Sequence, residues 1–177
     1  MQNRLSVSLN EQSITILEIL ATKYNTSHAD IIRRSLHFMH IMENAMEKAT
    51  LDDILAYVDY LADRDHVIVD IAAWKALCIE LGKGSSKFWE KIYKVGESNR
   101  RIYSDKGLKD IKQILKLIEK KNWFTVKEDS KNSFSLILNI SETSQFIKTF
   151  LEGCFAEYPQ KVEITEEDMK LHLHVHQ

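Results

Sequence analysis

Residues 4–12, RLSVSLNEQ, place the hardest constraint on what this chain can fold into. Leu5, Val7 and Leu9 alternate with Arg4, Ser6 and Ser8, the period-two pattern of a half-buried strand. No partner strand follows for about fifty residues, because the next segments repeat at helical spacing. An isolated strand leaves a row of backbone donors and acceptors unpaired and invites pairing with another chain. Whatever fold forms must therefore bring the strand a partner from elsewhere.

The segments that follow are read from their caps and their period. Asn10 is a good N-cap, and Ile14, Leu17, Leu20 and Tyr24 lie on one side of a first helix. Asn25 suits a left-handed C-cap, and Ser27-x-x-Asp30 is a capping box that opens a second helix reaching about Lys48. Its apolar stripe is Ile31, Ile32, Leu36, Met39 and Met42. A second box, Thr50-x-x-Asp53, opens a shorter helix. HVIVD, residues 66–70, reads as a short strand or as an apolar lead into a helix over 71–81 that Gly82 and Gly84 end. Helices are then predicted over 86–95 and 105–121. From Trp123 the period changes from 3.6 to 2: WFTVKE and FSLILNI flank DSKNS as a hairpin. A helix over about 142–157 stops before Pro159, the single proline, and KVEIT and KLHLHVH form a second hairpin.

A strand and two helices in under fifty residues hold too little apolar surface to fold alone. A two-fold dimer answers both difficulties: the strand pairs with its own copy, and the helices of both chains interlock beneath the ribbon. Leu5, Val7 and Leu9 then face the shared core, while Arg4, Ser6 and Ser8 face outward on a ribbon that fits the DNA major groove.

On these residues the chain resembles the ribbon-helix-helix transcription regulators of the CopG, MetJ and Arc type. RLSVSLNEQ matches the ribbon, ILEILATKY the first helix, and NTSHADIIRRSL the turn and second helix, over about residues 3–45. The resemblance implies base reading by Arg4, Ser6 and Ser8. It also implies phosphate binding at the start of the second helix by Thr26, Ser27 and His28, where backbone N–H groups gather. Asn25 stands where that family often has glycine, which Asn replaces because it also adopts positive φ. The C-terminal part is faintly similar, in pattern only, to the small-molecule domains of the 4-vinyl-reductase and haem–nitric-oxide-binding type.

Charge refines this expectation. The net charge is −2, but it is segregated: residues 1–40 carry net +1, 41–81 net −6, 82–121 net +7 and 122–177 net −4. The ribbon itself is thinly charged, with one Arg and two Ser outward, although phosphate neutralisation dominates DNA affinity. Asp52, Asp53, Asp59, Asp63, Asp65 and Asp70 read as a solvated acidic face. Lys109, Lys112, Lys116 and Lys120 form a stripe along the 105–121 helix that reads first as a solvated face and second as an anion contact. GKGSS, residues 82–86, lacks the spacing of a nucleotide-binding loop.

Three further features bear on function. His172, His174 and His176 share one face of the last strand, so His172 and His174 are the candidate ligands for a divalent metal. All three would span about 13 Å, too far to share one ion, and a plain solvent-facing strand competes with the metal reading. Trp74, Phe88, Trp89, Tyr93 and Trp123 concentrate aromatics that line either the core or an apolar ligand pocket. Finally, no nucleophile elbow, Ser/His/Asp set or paired carboxylates stand out, so no enzyme is expected. Cys78 and Cys154 make no metal or disulfide pattern, no apolar run is long enough to span a membrane, and no secretory signal is evident.

The expected fold is α+β: a ribbon-helix-helix dimer module over 1–48, then a helical middle and a C-terminal antiparallel sheet with helices on one face over 49–177. The expected function is a cytoplasmic, sequence-specific transcriptional regulator. It would bind double-stranded DNA as a homodimer or tetramer, and its second domain would sense an effector or drive oligomerisation. The alternative is an antitoxin-like interaction protein whose first module only dimerises.

Overall fold

The computed structural model describes residues 6–62 and 66–176. The chain is mixed α+β and forms two compact units, one ending at Ile54 and the other starting at Leu55.

In the first unit, α1 (Glu11–Tyr24) begins where Asn10 Oδ1 accepts the Ser13 N–H at 2.9 Å. It ends at Asn25, whose left-handed backbone (φ 46°) lets the Thr26 N–H reach the Ala21 carbonyl at 3.0 Å. α2 (His28–Met46) starts from Ser27, whose hydroxyl accepts the Asp30 N–H at 3.2 Å. The second half of that box departs from expectation, because the Asp30 carboxylate accepts the Thr26 hydroxyl instead. The Thr50/Asp53 box is reciprocal: Asp53 N–H donates to Thr50 Oγ1 and Thr50 N–H to Asp53 Oδ2. It opens α3 (Leu51–Ala62), which belongs to the second unit from Leu55 on.

The expected opening strand is not seen as one. Residues 6–10 are exposed and form no ladder, while Arg4 and Leu5 lie outside the described residues. A strand exists only through hydrogen bonds to a neighbour, and a single chain offers this segment none.

In the second unit, Asp70 caps α4 (Ile71–Leu81) by accepting the Ala72 and Ala73 N–H groups, so 66–70 is a lead-in and not a strand. α5 (Ser86–Asp105) runs ten residues beyond the expected end at 95. The long helix predicted over 105–121 is in fact the tail of α5, a turn at Gly107 (φ 79°), and a shorter α6 (Ile111–Glu119) capped by Asp110 on Gln113 N–H. The apolar period continues across the turn and hides it from a pattern reading.

The four strands are β1 (Phe124–Ser130), β2 (Ser133–Leu138), β3 (Val162–Glu167) and β4 (Lys170–Val175). They form one antiparallel sheet in the order β1-β2-β4-β3, with α7 (Ser144–Phe155) between the two hairpins in sequence. Phe124, Val126, Leu136, Leu138, Leu171 and Leu173 point to one face and are buried with Ile114, Leu115 and Ile118 of α6 and Ile147, Phe150 and Leu151 of α7. The other face carries Lys127, Thr165, His172 and His174, so the helices lie on one side as the alternation requires.

α5 and α7 touch backbone to backbone. A Cβ on Gly96 would fall inside the Phe150 carbonyl, and one on Gly153 inside the Tyr93 carbonyl. Two glycines facing each other's helix permit a separation that no other residue allows.

Candidate functional site

The first unit holds two features that bear on binding. The first is its apolar surface. α1 and α2 bury only Ala21 and Ile31. Ile19, Leu36 and Phe38 remain 60%, 65% and 63% exposed, and Ile16, Met39 and Ile41 are also in water. Leu9, Leu17, Leu20, Ile32 and Met39 line an open groove of about 770 Å³ between the helices. Of the α2 stripe that the sequence assigns to a core, Ile31 is buried, while Ile32, Leu36 and Met39 stay exposed in the single chain. On α2 the apolar residues extend past one face, since Leu36 and Ile41 lie on nearly opposite sides of a 3.6-residue helix.

The second feature is the start of α2, where Thr26, Ser27 and His28 were expected to hold a phosphate. Ser27 and His28 are exposed and Thr26 is half-buried. The Asp30 carboxylate occupies this turn. It accepts the Thr26 hydroxyl at 2.8 Å and pairs with Arg33 at 3.0 Å and Arg34 at 3.3 Å. The Thr26 hydrogen bond, followed by the two guanidiniums, holds the Asp30 carboxyl below its ordinary pKa. Sequence reasoning missed Arg33 and Arg34, although they adjoin the expected site as the pair RR in ADIIRRS. Of the predicted base-reading residues, Ser6 and Ser8 are exposed, and Arg4 lies outside the described residues.

His172 and His174 of β4 lie on the helix-free face, as their alternation with Leu171 and Leu173 implies, and His176 follows the strand. Each has a neighbour. His172 Nδ1 is 3.1 Å from Ser135 Oγ, and its Nε2 is 3.4 Å from Glu167. His174 Nδ1 is 2.8 Å from Ser133 Oγ, and His176 Nε2 is 2.9 Å from Glu163. Ser135 also donates to Asp129 at 2.5 Å, and this bond holds the Asp129 carboxyl below its ordinary pKa. Among the described residues no three His, Cys, Asp or Glu side chains converge as a metal site would need.

Of the lysine stripe, Lys112 and Lys116 lie exposed on α6 opposite its buried side, the solvated face expected first, and Lys120 follows the helix half-buried. Lys109 precedes α6, Lys112 pairs with Glu128 at 2.5 Å, and Lys116 pairs with Glu119 at 2.8 Å. Lys112 and Lys116 thus meet acids of their own unit.

The aromatic cluster divides. Phe88 and Trp89 pack edge to face on α5 with centroids 4.9 Å apart. Trp74 and Trp123 instead meet across Phe146, at 5.1 and 5.5 Å, and help to wall a cavity of about 430 Å³ in the second unit. Tyr57 and Tyr60 complete its aromatic wall, and Lys120 and Lys121 stand at the C-terminal end of α6 beside it. The two tyrosines escaped sequence reasoning, since nothing local links α3 to residue 123.

No family model, no curated protein and no solved structure matches this chain. Among the described residues, no helix is long and apolar enough to cross a membrane.

Proposed function

We infer that the chain is a homodimeric, sequence-specific DNA-binding regulator whose first unit forms a ribbon-helix-helix module with a second copy. One observation carries the reading: two well-capped helices bury just Ala21 and Ile31 between them and leave Ile19, Leu36 and Phe38 in water. Helices so capped, yet so poorly covered, suit a core completed by another copy. The alternating residues before Asn10 then gain the partner strand they lack. Arg4, Ser6 and Ser8 face the major groove, and the start of α2 approaches the phosphates with Arg33 and Arg34 beside it.

Selection from a random DNA library tests the reading. A short palindromic site should be enriched, with affinity falling steeply as salt rises and lost in Arg4→Ala. Absence of any enriched sequence at low salt, with or without divalent metals, would overturn it.

A second reading has its own support. The Asp30 carboxylate already sits at the start of α2, where phosphate would bind, and the apolar surface of α2 exceeds one face. A dimeric interaction protein, antitoxin-like in arrangement, would use that extra surface to hold a partner protein.

A further inference from the structure

We propose that residues 66–70, HVIVD, form a second self-association segment, pairing antiparallel with the same residues of another copy about a two-fold axis at Ile68. In the single chain this stretch leads into α4 and belongs to no strand. Its side chains are nevertheless set for one: Val67 and Ile68 are 84% and 80% exposed, and Val69 is exposed as well. Three consecutive β-branched residues favour a pleated, paired backbone. Among the described residues, no hydrogen bond reaches the backbone of Val67, Ile68 or Val69. Open backbone groups beneath bare apolar side chains are what another strand covers.

The order of the five residues selects the occupant. About a two-fold axis at Ile68, Val67 lies opposite Val69 and His66 opposite Asp70, so apolar meets apolar and no like charges meet. Exchange of both backbone bonds between Val67 and Val69 then satisfies the donors and acceptors that the single chain leaves open. Asp70 keeps its helix in this arrangement, because it caps α4 through its side chain, on the Ala72 and Ala73 N–H groups. The ribbon alone is short against the roughly 800 Å² per partner of a stable interface. Tyr57 and Leu61 of α3 and Ile71 of α4 border the same hollow as Val67, Ile68 and Val69 and are about half exposed, so they widen the contact.

This contact lies wholly in the second unit and rests neither on DNA binding nor on the dimer of the first unit. Being small, it joins copies only at a concentration above that at which the first unit pairs them. Its test places single cysteines in the full chain and oxidises them at high concentration. Val67, Ile68 and Val69 are exposed, so replacing them spares the core, and the native Cys78 and Cys154 are buried. Residues directly opposite in an antiparallel pair have Cα atoms about 5 Å apart, within disulfide reach. Those two places off stand about 7–8 Å apart, beyond it. Ile68→Cys should therefore link to itself, Val67→Cys and Val69→Cys should not, and an equal mixture of those two should give the mixed dimer. The pattern should persist in Leu36→Asp, which disrupts the first unit's contact, so either reading can fail alone. In sedimentation at high concentration, Ile68→Asp should stop one doubling short of the parent chain, since it sets like charges face to face. Equal linking by all three cysteines, no linking by Ile68→Cys, or loss of the pattern in Leu36→Asp would each overturn the proposal. So would preferential linking of Ile68→Cys to Val7→Cys, which would make the opening segment the occupant.

Discussion

Single residues decide how tightly the second unit closes. Gly153 and Gly96 let α5 and α7 meet at their backbones, so a methyl group has no side chain to push aside and must move a helix. Gly153→Ala should therefore cost toward the upper end of the about 1–3 kcal/mol typical of overpacking, read as a lower denaturation midpoint. Gly107→Ala, with open space around its Cβ, should suffer only from its positive φ, by about 1 kcal/mol. Glu142 supplies a second case. The Lys75 ammonium, 2.9 Å away, and then the hydrogen bonds at Glu142 hold its carboxyl down at about 2, against an ordinary 4.5. A carboxyl depressed in the folded state adds stability above its unfolded pKa, and that stability drains away as pH falls through the folded value. Denaturation midpoints should therefore decline between about pH 4.5 and 2, and Glu142→Gln should flatten part of that decline. The thiols behave alike for another reason: burial pushes Cys154 up to about 12 and raises Cys78 as well. Neither should react with a thiol reagent until the chain unfolds.

At the level of elements, the caps and the change of period were legible in the sequence because both are local. Asn10, Asn25, Ser27, Thr50 and Asp53 cap the helices they announce, and both hairpins lie where the alternation begins. The break at Gly107 was not legible, because apolar spacing runs through it and only the positive φ and the Asp110 cap divide α5 from α6. Nor was the cavity, whose walls come from positions as far apart as Tyr57 and Trp123. The sequence offered Trp74 and Trp123 as candidates without saying that Trp89 belongs elsewhere. His172 and His174 of β4, and His176 just beyond it, each already have a hydroxyl or carboxylate within reach. A titration with nickel, zinc and cobalt should accordingly show no binding that His174→Ala removes; binding lost in that variant would make His174 a ligand.

For the whole molecule, assembly is the quantity to measure. If a second copy covers the first unit, a charge placed in that stripe must be buried without a partner, a cost of several kcal/mol. Leu36→Asp should convert the dimer to a monomer in analytical ultracentrifugation while the β-sheet signal persists, because the second unit carries its own core. A dimer unchanged by Leu36→Asp would place the contact elsewhere.

The order β1-β2-β4-β3 leaves β1 and β3 as the margins of the sheet. Both margins are charged: β1 presents Lys127, Glu128 and Asp129, and β3 presents Glu163, Glu166 and Glu167. Strands studded with charge repel a like strand laid beside them, so the sheet resists growing by strand addition into fibres or swapped ribbons. The second unit thus guards both margins of its sheet against joining copies strand to strand.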